Sequence, residues 1–160
     1  LSLCEALHGP PSPHELPRAL ELACATDFLQ GTLDALDTRI AERGANWSGG
    51  QRARVALARG ILAAEGSALV LLDEPTAALD PRTEARVYAS LFTAFADACV
   101  VSSVHRLNLL PQFDEVLVMK DGRLVAQVSP DRLEAVPEFR ELQAAYRRED
   151  GAPAATPVAA

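Results

Sequence analysis

A chain of 160 residues with 49 % hydrophobic side chains can build one ordinary domain, and an aromatic share of only 5 % makes its core aliphatic. Fifteen Lys and Arg against 22 Asp and Glu leave a net charge of −7, which argues against broad electrostatic docking on nucleic acid. No apolar run approaches a membrane span, no basic and apolar leader opens the chain, and Cys4, Cys24 and Cys99 are too scattered for a disulfide frame or metal site.

The opening, Leu1 to Pro17, is rich in proline and starts without Met, as a segment of something longer would. Leu16, Ala19, Leu20, Leu22 and Ala23 then recur at helical spacing and predict a helix over Glu15–Ala25. A second short helix is predicted over Asp27–Leu33, capped by Thr26 or Asp27. Thr38 to Gly44 reads as a charged loop leading into Asn46-Trp47-Ser48-Gly49-Gly50-Gln51. The helix that follows places Val55, Ala58, Ile61 and Leu62 on one face, leaves Arg52, Arg54 and Arg59 as a solvated face, and ends by Gly66. Ala68–Leu72 is a continuous apolar run and predicts a strand buried on both faces. Asp80-Pro81 pairs an N-cap with proline at the first helical position and opens a helix to about Ala96. Ala98–Ser102 predicts a second buried strand. Glu115–Met119 and Arg123–Val128 flank Lys120-Asp121-Gly122 as a β-hairpin. Ser129-Pro130 starts a helical stretch interrupted at Pro137 and running to about Tyr146, and the Ala- and Pro-rich tail from Glu149 is expected to be disordered. Strand, helix, strand predicts an α/β core with parallel strands, with the helical first third beside it.

Three groups of residues carry chemistry. Ser48 is a good N-cap, and Gly49 and Gly50 let backbone N–H groups at a helix start approach an anion. Asp73 and Glu74 end an apolar strand, at the sheet edge where α/β proteins bind ligands. Side chains alternate along a strand, so one acid can hold Mg²⁺ through water while the other takes a proton from an attacking water. His105 follows the second strand to the same edge and can donate to a γ-phosphate oxygen. His8 and His14 carry no such reading. The only lysine, Lys120, is followed by Asp121, so no G-x-x-x-x-G-K-[ST] phosphate loop exists in this sequence.

The order of these pieces, from Leu1 to Val128, resembles the second half of an ATP-binding-cassette (ABC) ATPase domain of the exporter type. Trp47-Ser48-Gly49-Gly50-Gln51 matches the family's signature motif and Leu69–Asp73 its Walker B strand. Glu74 matches the catalytic glutamate, Ala77-Ala78-Leu79-Asp80 the D-loop, and His105 the switch histidine. Arg39 to Gly44 resembles the loop that touches coupling helices in exporters. Trp47 stands where the family usually has Leu, and Ala77 where it usually has Ser. The resemblance implies residues 1–47 as a helical subdomain remnant, 48–128 as the C-terminal half of a P-loop NTPase core, 129–148 as C-terminal helices and 149–160 as tail.

It also implies ATP and Mg²⁺ as cofactors, with Glu74 and His105 catalytic, Ser48, Gly49, Gly50, Gln51 and Asp80 binding nucleotide, and Asp73 serving the metal through water. The implied partners are a second ABC ATPase domain, head to tail, and transmembrane transporter domains at the cytoplasmic face of the membrane; nucleic acid is not expected. This chain alone, lacking the P-loop half, is expected to be inactive, and a half-core should leave apolar faces uncovered. Two other readings share some of the motifs: a chromosome-maintenance or repair ATPase head, and a non-catalytic interaction module with the same half-fold. Such heads interpose coiled coils, and no sustained heptads occur here.

Overall fold

Helix α1, Glu15–Leu22, buries Leu16, Ala19 and Leu20 in a computed structural model that describes residues 15–29, 41 and 44–149. It stops short of the predicted Ala25 for a definable reason. The N–H of Ala25 reaches back to the Leu20 carbonyl at 2.7 Å and that of Cys24 to Glu21 at 2.8 Å. Cys24, at φ 52°, occupies the left-handed position that usually takes glycine in such a cap. Helix α2, Thr26–Leu29, follows at once and includes Thr26. Its predicted continuation to Leu33, most of the Thr38–Gly44 loop, the proline-rich opening and the tail from residue 150 lie outside the described residues.

The chain divides into two compact units, between His105 and Arg106. In the first, α3 runs Gly49–Ala63, β1 Leu69–Leu72, α4 Pro81–Ala94 and β2 Cys99–Ser102. Helix α3 ends at Ala63, and Gly66 (φ 73°) serves the turn beyond it. The strands pair in parallel from Leu69↔Cys99 to Leu72↔Ser102, as the strand–helix–strand order predicts. Leu16 and Leu20 of α1, Val55 and Ile61 of α3, and Val87 and Leu91 of α4 belong to one apolar cluster. The expectation of strands buried on both faces is corrected. Val70 is 6 % exposed, but Leu69 is 53 %, Leu71 69 % and Val101 44 % exposed. Successive strand side chains alternate. The pleat face marked by Val70 is covered, whereas the face of Leu69, Leu71 and Val101 is largely exposed.

The second unit starts with a short 3-10 helix, Leu107–Gln112, that no sequence signal announced. Strands β3, Val116–Lys120, and β4, Arg123–Val128, form the predicted antiparallel hairpin. Asp121 and Gly122 both have positive φ (50° and 72°), as the favoured two-residue hairpin turn requires. A 3-10 helix over Pro130–Ala135 leads to α5, Pro137–Glu149, so the proline at the predicted interruption is the first residue of a new helix. Val118, Leu133, Val136 and Phe139 are buried here, and Lys120 Nζ meets Glu141 of α5 at 2.8 Å.

Candidate functional site

The tip of α3 is built by residues close together in the sequence. Ser48 is extended (φ −65°, ψ 163°), and its Oγ accepts from the Gln51 N–H at 3.2 Å. Gln51 returns the contact, its Oε1 accepting from the Ser48 N–H at 2.8 Å. This reciprocal box caps the helix and leaves the first-turn N–H groups of Gly49 and Gly50 without a helical carbonyl to serve them. A side chain at Gly49 would meet nothing, whereas a Cβ at Gly50 would lie 3.1 Å from the Ala78 carbonyl oxygen. The second glycine is therefore what lets the helix tip rest on the Ala77–Leu79 turn.

Two arginines read as a solvated face make defined contacts here: Arg52 is exposed as expected, whereas Arg54, with its side chain 16 % exposed, corrects that expectation. Arg52 donates to the Trp47 carbonyl at 2.8 Å and fastens the turn entering the helix. Arg54 donates to the Cys24 carbonyl at 2.8 Å and lies over the Phe28 ring at 4.7 Å. Trp47 packs edge-on against the same ring, with centroids 5.9 Å apart. The unusual Trp47 thus has a packing partner in α2.

The carboxylate rim lies just beyond β1. Asp73 and Glu74 are both exposed, and Glu74 adopts φ 45°, uncommon outside glycine. His105 Nε2 lies 2.7 Å from Glu74 Oε1. A carboxylate only accepts, so this contact places the imidazole proton on Nε2. The sequence places His105 at the same edge as Glu74; the structure brings them into direct contact. Ser103, which sequence reading passed over, donates its hydroxyl to Asp73 Oδ1 at 3.0 Å and accepts the Glu74 N–H at 2.8 Å.

A buried polar group supports this rim and was likewise missed. Thr76 and Glu84, 3 % and 5 % exposed, share a 2.6 Å hydrogen bond from Thr76 Oγ1 to Glu84 Oε1. The Tyr88 hydroxyl meets Ser102 Oγ at 2.8 Å. Burial pushes the Tyr88 phenol above its ordinary pKa, against the opposing effect of hydrogen bonds to Ser102 and Thr76. Asp80 Oδ1 accepts from the Arg82 and Thr83 N–H groups at 3.1 and 3.0 Å, and a hydrogen bond from the Thr83 side chain, helped by these main-chain bonds, holds its carboxyl below the usual range. That carboxylate caps α4.

The family model for the ABC transporter matches residues 22–77, a span that includes the capped tip and both acids of the rim. The chain is 43 % identical over 122 residues to the beta-(1→2)glucan export ATP-binding/permease protein NdvA of Rhizobium johnstonii, covering 76 % of this chain and 20 % of that protein. This chain belongs to the ABC transporter family. To the ATP-dependent lipid A-core flippase of Pectobacterium atrosepticum the ABC chain is 40 % identical over 114 residues, 71 % of this chain and 19 % of that one. A solved bacterial Atm1-family ABC exporter with ATP bound superposes with a TM-score of 0.79 at 30 % identity, over 91 % of this chain and 26 % of that chain. The chain thus spans about a fifth of the curated relatives it matches. The fold is the second half of the P-loop NTPase core of an exporter nucleotide-binding domain, and among the readings left open by the sequence the transporter is the one the relatives support. No helix among the described residues is long and apolar enough to cross a membrane.

Proposed function

We propose that this ABC chain supplies the γ-phosphate-facing and carboxylate parts of an exporter ATPase that couples ATP hydrolysis to transport. The observation that carries the reading is the 2.7 Å contact between Glu74 and His105 at the end of β1, in the same unit as a capped, glycine-bearing helix tip. Glu74 offers its second carboxylate oxygen to the attacking water, while His105 fixes the first. The Nε2 proton that holds Glu74 is also the donor suited to a phosphate oxygen, so His105 can pass from one acceptor to the other.

The donor chemistry fits Mg²⁺, which is commonly held by one or two carboxylates together with water and substrate phosphates. Asp73 has one oxygen engaged by Ser103 and offers the other. Bound there, Mg²⁺ would neutralise charge on the phosphates. Ser48, Gly49, Gly50 and Gln51 would present N–H and hydroxyl donors to a γ-phosphate across a head-to-tail pair of domains, and Asp80 would set the turn beside them. The bare strand face of Leu69, Leu71 and Val101 supports completion of this core by further polypeptide, with the unit attached through transmembrane domains at the cytoplasmic face. Residues 1–47, 48–128 and 129–148 keep the assignments their motifs suggest. The chain by itself, without a P-loop sequence, is expected to bind ATP weakly.

The test is Glu74→Gln in the intact protein. Turnover should fall about 10²- to 10⁴-fold while ATP binding is retained. Undiminished turnover would remove Glu74 from the chemistry and with it the reading.

A further inference from the structure

Ser103 links both acids of the rim through one hydroxyl. Its proton goes to Asp73 Oδ1 at 3.0 Å, and a lone pair accepts the Glu74 N–H at 2.8 Å. Its own backbone N–H bonds to the Leu72 carbonyl at 3.0 Å, which extends the β1–β2 ladder to the edge of the site. The preceding residue, Ser102, is held by the fully buried Tyr88. Ser103 is thereby fixed by main-chain pairing and by its neighbour, leaving the hydroxyl to act on the acids.

Glu74 needs such a partner. Its φ of 45° lies in the left-handed region, which a side chain bearing a Cβ enters at a cost and keeps only when surrounding contacts hold it there. The N–H directed at Ser103 anchors that conformation, beside the Glu74 carbonyl, which accepts from the Ala77 N–H at 3.3 Å. At Asp73 the hydroxyl occupies one oxygen and so selects which one remains for other ligands.

We infer that Ser103 is a positioning residue for ATP hydrolysis: a hydroxyl clamp between strands that holds the Glu74 backbone in its left-handed conformation and orients the Asp73 carboxylate. This rests on the proposed hydrolytic role of Glu74. The clamp fixes geometry at the reacting end and does not touch the nucleotide, so its loss should lower kcat and spare the KM for ATP.

Val and Thr have nearly the same shape and differ in the hydroxyl, so Ser103→Val and Ser103→Thr form the test pair in the intact protein. Ser103→Val should reduce kcat about 10- to 100-fold with little change in KM, and Ser103→Thr should restore kcat to within about threefold of the parent. A second readout needs no turnover. Pro75 has no amide, so a short peptide ending there reports hydrogen exchange at Asp73 and Glu74. The Glu74 amide should exchange faster in Ser103→Val and remain protected in Ser103→Thr. Parental kcat and parental protection in Ser103→Val would overturn the clamp, as would equal losses in Val and Thr. If Val disturbs folding, Ser103→Ala takes its place with the same expectations. Turnover that survives Glu74→Gln would sink the hydrolytic reading instead, and exchange at Glu74 would still decide the clamp.

Discussion

The helix tip and the acid rim both offer polar groups at the ends of secondary-structure elements, yet they are held in opposite ways. At the tip, Ser48 and Gln51 satisfy one another from three positions apart, and a local segment carries its own instructions. At the rim, Ser103 bonds to Asp73 and Glu74 from 30 and 29 positions away, across a strand pair that must already exist. The tip is a property of a segment and the rim a property of the fold. Damage to the tip should therefore remain local, whereas damage beneath the rim should spread to stability and chemistry together.

The largest stability effect should come from beneath the rim. Thr76→Val keeps the shape and removes the hydroxyl that Glu84 accepts from in a buried setting. Loss of that bond should destabilise the chain by about 1–3 kcal/mol, read as the midpoint of denaturant unfolding. A midpoint equal to the parent's would show that the Thr76–Glu84 bond contributes nothing net and would weaken the contrast.

Ser48→Ala should cost less, about 1 kcal/mol, because it removes a cap whose donors can turn to water. Trp47, the only tryptophan, sits next to the cap and should report the change in its fluorescence at denaturant concentrations below the main transition. Thr76→Val should leave that early signal untouched. If Ser48→Ala instead shifts the main transition as far as Thr76→Val does, the two regions are not separate in the way their hydrogen bonds suggest.

This contrast also explains what could be read from the sequence. The Ser48 cap, the Asp80-Pro81 helix start and the Asp121-Gly122 turn were legible because each is specified within a few residues. Parallel pairing of β1 and β2 followed from the order of elements, and the shared edge of Glu74 and His105 followed from that pairing. The roles of Ser103, Tyr88 and Glu84 did not, because an isolated polar residue in an apolar run gives no hint of a partner far along the chain. Arg54 was misread for the same reason: its partners, Cys24 and Phe28, belong to an earlier helix. The apolar run at β1 shows that its side chains avoid water but not which face is covered, so Leu69 and Leu71 were placed inside.

The smallest effect should belong to Lys120, and it sharpens the contrast from outside the site. As the only lysine in this sequence it is the one lysine here that could meet a phosphate, but its ammonium is engaged by Glu141 at 2.8 Å, joining the hairpin to α5 within the second unit. The hydrogen bond to Lys120 lowers the Glu141 carboxyl from its ordinary 4.5, and the hydrogen bond to Glu141 raises Lys120 above 10.5. The carboxyl is depressed in the folded state, so its contribution to stability is present above about pH 4.5 and fades as the pH falls through the lowered folded value. The lysine is raised, so its contribution is present below about pH 10.5 and fades as the pH rises through the higher folded value. Both groups are exposed and screened, so Lys120→Met should lower the melting temperature only slightly at neutral pH. The difference from the parent should close in strong acid, where Glu141 is protonated in both proteins. ATP turnover of the intact protein should be unchanged by Lys120→Met. A loss of turnover would place Lys120 at the phosphates and would require the grip on the nucleotide to be sought within this chain.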